Sequence, residues 1–194
     1  MATDNELVPY APALVQDRAS LDEIYRLRPI AWEYSPDGDI INTTLYPDGW
    51  QDSLDEGGIH WAIINDAGQI VSGARLNILH SLEDIFPISD HTTQPLFLSD
   101  PFAYISRLVV HPNSRNRGLA HMMDRVRIRY AIQASVESIA VLAGDLGVAR
   151  FSKYGFIHRL SFLNPAYTVN PRKAQSHLMT LELKSLPANW DSDC

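Results

Sequence analysis

Residues 104–120 read YISRLVVHPNSRNRGLA, and the reading of this stretch decides the fold. Ile105, Leu108, Val109 and Val110 are apolar and mostly β-favouring, so the segment opens as a strand. His111-Pro112 stops it, because proline cannot donate to a central ladder. Asn113-Ser114 turns the chain, and a helix begins close to Gly118. The first-turn N–H groups of such a helix have no intrahelical partner, and the helix dipole adds positive potential at the same point. Gly118 and Ala120 leave room for a bulky phosphate to approach the backbone, and Arg115 and Arg117 add positive charge at that edge. A strand, a tight turn and a small-residue helix start together make an anion cradle.

Before this stretch, residues 1–6 are polar and expected to be loose. A strand in 7–15 is interrupted by Pro9 and Pro12, which makes it an edge strand. Ser20 with Glu23 has the capping-box spacing, and Leu21, Ile24, Tyr25 and Leu27 form an apolar helix face that Pro29 is expected to end. Trp32, Tyr34, Tyr46 and Trp50 follow in a Pro-, Gly- and Asp-rich stretch, where they either line a site or cover the core. Segments 60–65 and 69–79 form a hairpin around Asp66-Ala67-Gly68, with Arg75 inside the second strand. The long segment 81–101 reads as a functional loop.

After it, Leu119, Met122, Met123, Val126, Tyr130 and Ala134 make a helical stripe over 117–135 that faces a sheet. Residues 139–143 are a short buried strand, and Gly144-Asp145-Leu146-Gly147 breaks the chain before a short helix at 148–154. Strands at 156–162 and 177–183, joined by a Pro/Asn loop, close the order. A right-handed crossover places 104–110 and 139–143 parallel and side by side. The whole reads as one α/β domain over 1–194, with its core at about 7–184 and a mixed central sheet flanked by helices.

The chain has 194 residues, 45% of them apolar, which suits one soluble domain. A net charge of −7 argues against nucleic acid as a partner. Arg107, Arg115, Arg117, Arg125, Arg127 and Arg129 nevertheless cluster around the cradle, which suits a small anionic ligand. For Arg125, Arg127 and Arg129 a solvated helix face is the favoured reading. Cys194 is the one cysteine, so a disulfide frame or cysteine-based zinc site within the chain is excluded. MATDNELVPY has no signal-peptide pattern and no apolar run reaches spanning length, so a cytoplasmic protein away from membranes is expected.

Val110-His111-Pro112-Asn113-Ser114-Arg115-Asn116-Arg117-Gly118-Leu119-Ala120 resembles motif A of the GCN5-related N-acetyltransferases, V-x-P-x-x-[QR]-x-x-G-x-[GA], with every fixed position filled. The element order matches that family's β-α-(α)-β-β-β-α-β-α-β-β. The resemblance implies transfer of an acyl group from acetyl-CoA or another acyl-CoA to the primary amine of a small molecule, with no metal. A homodimer is compatible with it. It also implies that Leu108, Val109, Val110, Arg115, Asn116, Arg117, Gly118, Leu119 and Ala120 bind the donor, and that the two parallel strands splay to admit pantetheine.

Such a transfer needs a deprotonated amine, a polarised carbonyl and a stabilised or protonated thiolate. The family's strand glutamate is replaced here by Tyr104. In R-F-S-K-Y-G-F, Phe151 stands where the family's acidic tyrosine stands, and Gly144 replaces the asparagine that often precedes that helix. Tyr104 and Tyr154 are the candidate proton-transfer groups, although Tyr154 also reads as a core aromatic. His80 is a further candidate base, and His111 reads as a turn residue.

A second resemblance runs through Arg28 in R-L-R, Arg75 in G-A-R-L, L-E-D-I-F-P at 82–87 and S-R-L at 106–108. These look like the acyl-homoserine-lactone synthases, which share the fold. They typically carry glutamate where Tyr104 stands and lack the R-x-x-G-x-A turn. That resemblance implies a long-chain synthase, of a lactone or of an N-acyl amino acid. A degenerate domain that senses acyl-CoA is the non-enzyme alternative.

Overall fold

A computed structural model describes residues 10–34, 42–85, 98–163, 175–188 and 190–191. Ten elements organise them. They are β1 (Ala13–Val15), α1 (Arg18–Glu33), β2 (Ile59–Ile64), β3 (Ile70–Leu79), β4 (Phe102–Val110), α2 (Leu119–Gln133), β5 (Ser138–Ala143), α3 (Asp145–Ser152), β6 (Ile157–Leu163) and β7 (Gln175–Glu182). The strands form a seven-stranded sheet in the order β1-β2-β3-β4-β5-β7-β6. Every neighbouring pair is antiparallel except β4 and β5, which are parallel, as a crossover through α2 requires. This is the α/β architecture expected of the acetyltransferase fold.

The two sheet faces carry different layers. Ala74, Leu76, Ala103, Ile105, Ile139 and Val141 point to the α2 and α3 side, where Leu119, Met123, Ile128 and Phe151 complete the main core. On the opposite face, Ile24 and Tyr25 of α1 meet Ala62, and Leu27 and Ala31 meet Val109. Along the same face, Leu79, Phe102, Tyr104, Ala140, Phe162 and Leu178 make a second apolar cluster. The period-two alternation of the strands sorts these residues between the layers.

Three expectations are corrected in α1 and α3. Asp17, not Ser20, caps α1, accepting from the Ser20 N–H at 2.9 Å. Pro29 lies inside α1 rather than ending it; packing of Leu27 and Ala31 on Val109 carries the helix on past the lost hydrogen bond. The helix α3 starts at Asp145 and contains Gly147, so the expected break at 144–147 is confined to Gly144. Of the proposed strand at 7–15, residues 13–15 are strand and 1–9 lie outside the described residues. The Pro/Asn loop between β6 and β7 also lies outside them.

Candidate active site

The parallel pair β4–β5 is joined over a short length only: Ala103, Tyr104 and Ile105 pair with Ile139, Ala140 and Val141. Beyond Ile105 the two strands are no longer registered partners, and the β5-facing edge of β4 from Ser106 to Val110 is unpaired with β5. The chain leaves β4 through a 3₁₀ turn at Pro112–Ser114, where His111 accepts from the Asn113 N–H as a turn residue. Asn116 and Gly118 both adopt positive φ, 62° and 77°. α2 then begins with Gly118 at its N-cap and no side-chain cap, its first intrahelical bond running from the Met122 N–H to the Gly118 carbonyl. The amides of Leu119, Ala120 and His121 therefore precede the helical ladder. A β-carbon built on Gly118 meets nothing within 4 Å, so the turn is open on that side.

The arginines at this edge divide. Arg117 is exposed and meets the Tyr10 hydroxyl at 3.3 Å. Arg115 instead turns its guanidinium onto the carbonyls of Ala31 and Tyr34, closing the C-terminus of α1. The solvated-face reading of α2 fails at two positions. Arg127 is 1% exposed and donates to the carbonyls of Ser106 at 3.1 Å and Arg75 at 3.3 Å, with Asp124 as its counter-ion. Arg125 is buried against Asp191, and only Arg129 stays half-exposed, on that same carboxylate. Charge placed on a helix face is solvated unless the fold supplies buried partners, and here Asp124 and the tail residue Asp191 supply them.

On the α1 face lies a buried ionic cluster whose three arginines stand in the segments that resemble the acyl-homoserine-lactone synthases, and whose two carboxylates sequence reasoning did not single out. Arg28 of α1 grips Asp55 with both terminal nitrogens, at 2.7 and 2.8 Å, and donates to the Trp50 carbonyl at 2.8 Å. Arg75 of β3 reaches Asp55 at 2.8 Å and also Asp52. Arg107 of β4 reaches Asp52 through Nε at 2.8 Å and lies 4.3 Å from the Trp50 ring centre. Burial alone would raise the two carboxyl pKa values; hydrogen bonds and charge from Arg28, Arg75 and Arg107 outweigh it and hold both below the usual carboxylate range. Burial pushes His60, beside Asp55, down, so the imidazole is neutral near pH 7. Three guanidiniums over two carboxylates leave one net positive charge.

A bulge aims Arg107 into this cluster. Gly73 pairs with Val109 and Arg75 with Ser106, so one residue of β3 faces two of β4 there. Arg107 sits in that bulge at φ 52°. The extra residue breaks the alternation and lets Ser106 and Arg107 serve the same face. Ser106 accepts from Arg75 Nε at 3.1 Å, and Arg127 takes the Ser106 carbonyl from the other side.

Trp50 is buried, with Tyr46 stacked at 5.0 Å and Trp32 at 6.5 Å. Gly49 makes this possible: a β-carbon there would lie 2.7 Å from the Tyr25 backbone. Of the aromatic stretch, Trp32 thus belongs to α1 itself, Tyr34 is exposed at its C-terminus, and Trp50 packs among Trp32, Tyr46 and Arg107. Residues 35–41, and 86–97 of the long loop, lie outside the described residues. The signal available in the sequence was D-x-x-D at 52–55, set against arginines standing inside apolar runs.

Of the two phenols, Tyr104 is buried on the α1 face as the register partner of Asn77. The Asn77 amide nitrogen donates to the Leu54 carbonyl at 2.8 Å, which fixes the amide orientation, and its buried Oδ1 has no hydrogen-bond partner among the described residues. Tyr154 lies on the other face, stacked on His121 of the first turn of α2 and hydrogen-bonded to its Nδ1. Burial, reinforced by Asp124, raises its pKa. Phe151 is buried against Phe156. His80 is exposed and paired with Asp100. Among the described residues, no group of three or more His, Cys, Asp and Glu is placed to hold a metal ion, and no helix is long and apolar enough to cross a membrane.

Comparison with known proteins agrees with this fold. The acetyltransferase (GNAT) family profile matches residues 21–156, and the chain belongs to that family. Membership implies an acyl-CoA donor as co-substrate and an amine acceptor. Arylalkylamine N-acetyltransferase 2 from Aedes aegypti is similar in fold, with 16% identity and a TM-score of 0.67, over 90% of this chain and 99% of that one. FeeM, an N-acyl amino acid synthase from uncultured soil microbes, aligns over 94% and 93% of the two chains at 11% identity and a TM-score of 0.62. The AHL synthase LasI aligns over 93% and 94% at 15% identity and a TM-score of 0.64. No curated protein matches.

Proposed function

We propose that this protein transfers an acyl group, acetyl in the simplest case, from acyl-CoA to the primary amine of a small molecule. The observation that carries the reading is a parallel strand pair that opens beyond Ile105 and leads into the uncapped N-terminus of α2. An open strand edge offers hydrogen bonds to an amide-bearing arm, and the first-turn amides of Leu119 and Ala120 offer them to a pyrophosphate. In this reading the donor lies along 108–110 and 115–120. Arg115 contributes its backbone there, because its side chain holds α1.

The amine then approaches from the α1 face. Asn77 Oδ1 accepts only, so it suits an amine N–H, and Tyr104 beside it relays the proton outward. On the opposite face Tyr154, joined to the cradle helix through His121, is the group that protonates the departing thiolate. Phe151 has no proton to give. The test is a thermal-shift series with CoA and acyl-CoAs of increasing length, followed by an amine panel read by thiol release. Stabilisation with turnover supports the enzyme, and stabilisation without turnover supports a sensor.

One observation favours a longer acyl chain. The second apolar cluster, with Leu79, Leu82, Phe102, Phe162 and Leu178, continues from Tyr104 on the acceptor face. A preference for long-chain over acetyl donors in the same series would select that reading.

A further inference from the structure

Far from the cradle in sequence, four polar side chains meet where β6, β7 and the start of α3 come together. His158 and Ser161 belong to β6, His177 to β7, and Asp145 is the first residue of α3. His158 Nε2 and His177 Nδ1 each lie 2.8 Å from the Ser161 hydroxyl and 3.4 Å from one another. The other nitrogen of His177 meets Asp145 Oδ1 at 2.7 Å. The acyl-transfer reading uses none of these residues.

We propose that His158 and His177, with Ser161 as a third ligand, form a binding site for an imidazole-seeking divalent cation such as Zn²⁺ or Cu²⁺. Two nitrogens 3.4 Å apart, each about 2.1 Å from a shared metal, subtend an angle of about 110°, close to tetrahedral. Both nitrogens already converge on one atom, the Ser161 oxygen, so neither ring has to turn away from a competing partner elsewhere. Asp145 takes the Nε2 proton of His177, which fixes the tautomer that leaves Nδ1 with a lone pair toward the site. A nucleophilic serine would use one base; a second imidazole aimed at the same point is the arrangement a metal uses. Bound metal would tie the edge strand β6 to β7, with the remaining coordination positions open to water. Mg²⁺, which requires oxygen ligands, would not bind here.

The experiment uses the full chain, stripped with chelator, titrated separately with ZnCl₂, CuCl₂ and MgCl₂ by calorimetry and thermal shift. The parent should bind one Zn²⁺ or Cu²⁺ with micromolar affinity and a raised melting temperature, and should ignore Mg²⁺. His158→Ala and His177→Ala should each remove that binding event, while Asp145→Asn should weaken it by about tenfold, the lower range for an outer partner of a ligating histidine. Histidine side-chain ¹⁵N spectra of the parent should show the shift at His158 Nε2 and His177 Nδ1, a readout that needs no variant to fold. Binding unchanged in both alanine variants, zinc-induced shifts at other histidines only, or no binding by the parent at millimolar Zn²⁺ would each overturn the proposal. Apo thermal unfolding of the variants, with a cooperative transition retained in each, separates lost ligation from lost fold.

Discussion

At the scale of single residues, backbone conformation decides more than side-chain identity. Gly118 stands at φ 77° with open space beside it, so a side chain there meets strain rather than a clash. Gly118→Val should cost roughly 1–3 kcal/mol of stability and place two methyls over the helix amides. Calorimetry should find acetyl-CoA binding weakened at least tenfold in a folded variant, and parent-like affinity would remove the cradle. The phenols separate by face. Tyr154→Phe should lower kcat by about one to two orders of magnitude, the lower range for general acid catalysis, with little change in CoA affinity. Tyr104→Phe should instead act on the amine side. Parent-like turnover in both variants would mean that neither phenol moves the proton.

At the scale of elements, the ionic cluster is the joint between α1, β3, β4 and the 50–55 segment. Arg28 and Asp55 are both fully buried and bonded through two parallel contacts. Such a pair adds little over a well-packed apolar substitute, but removing one partner strands the other charge. Asp55→Ala, which strands Arg28, should therefore destabilise by roughly 3–5 kcal/mol, measured as a shift of the urea midpoint, and Arg28→Ala should cost less because Asp55 keeps Arg75. The double replacement by apolar residues should recover much of that loss. Arg107→Ala, whose partner is Asp52 and whose side chain is less deeply buried, should cost less.

For the whole molecule, these groups set the acid side of the stability profile. His60 is held below its ordinary pKa of 6.5 by burial, so the unfolded chain takes up its proton first. Its effect is absent above about pH 6.5 and destabilises as pH falls below that. Asp52 and Asp55 are held below 3.8, and their stabilisation is lost as pH falls beneath about 4. Urea midpoints should fall modestly from pH 7.5 to 5 and steeply below 4. His60→Gln should flatten the first segment only. A parent midpoint constant from pH 7.5 to 5 would contradict the buried neutral imidazole.

What the sequence determined by itself is local. The V-x-P exit, the R-x-x-G-x-A turn, the Asp66-Ala67-Gly68 hairpin and the apolar stripe of α2 are short-range patterns. Each specifies its element through backbone geometry and side-chain period. The order of those elements then admits few topologies, so the sheet and the turn that leads into α2 were legible. The second resemblance groups Arg28, Arg75 and Arg107, but tertiary structure alone decided that they share a buried space with Asp52 and Asp55. Arg28, Asp52, Asp55, Arg75 and Arg107 lie on four separate segments, and no period or spacing pairs them. Their meeting follows from how α1 sits on the sheet and from the bulge at Arg107, a one-residue departure that apolar alternation does not announce. Arg127 was misread for the same reason. A charged residue on an amphipathic helix looks solvated until the fold supplies Asp124 and the carbonyls that bury it.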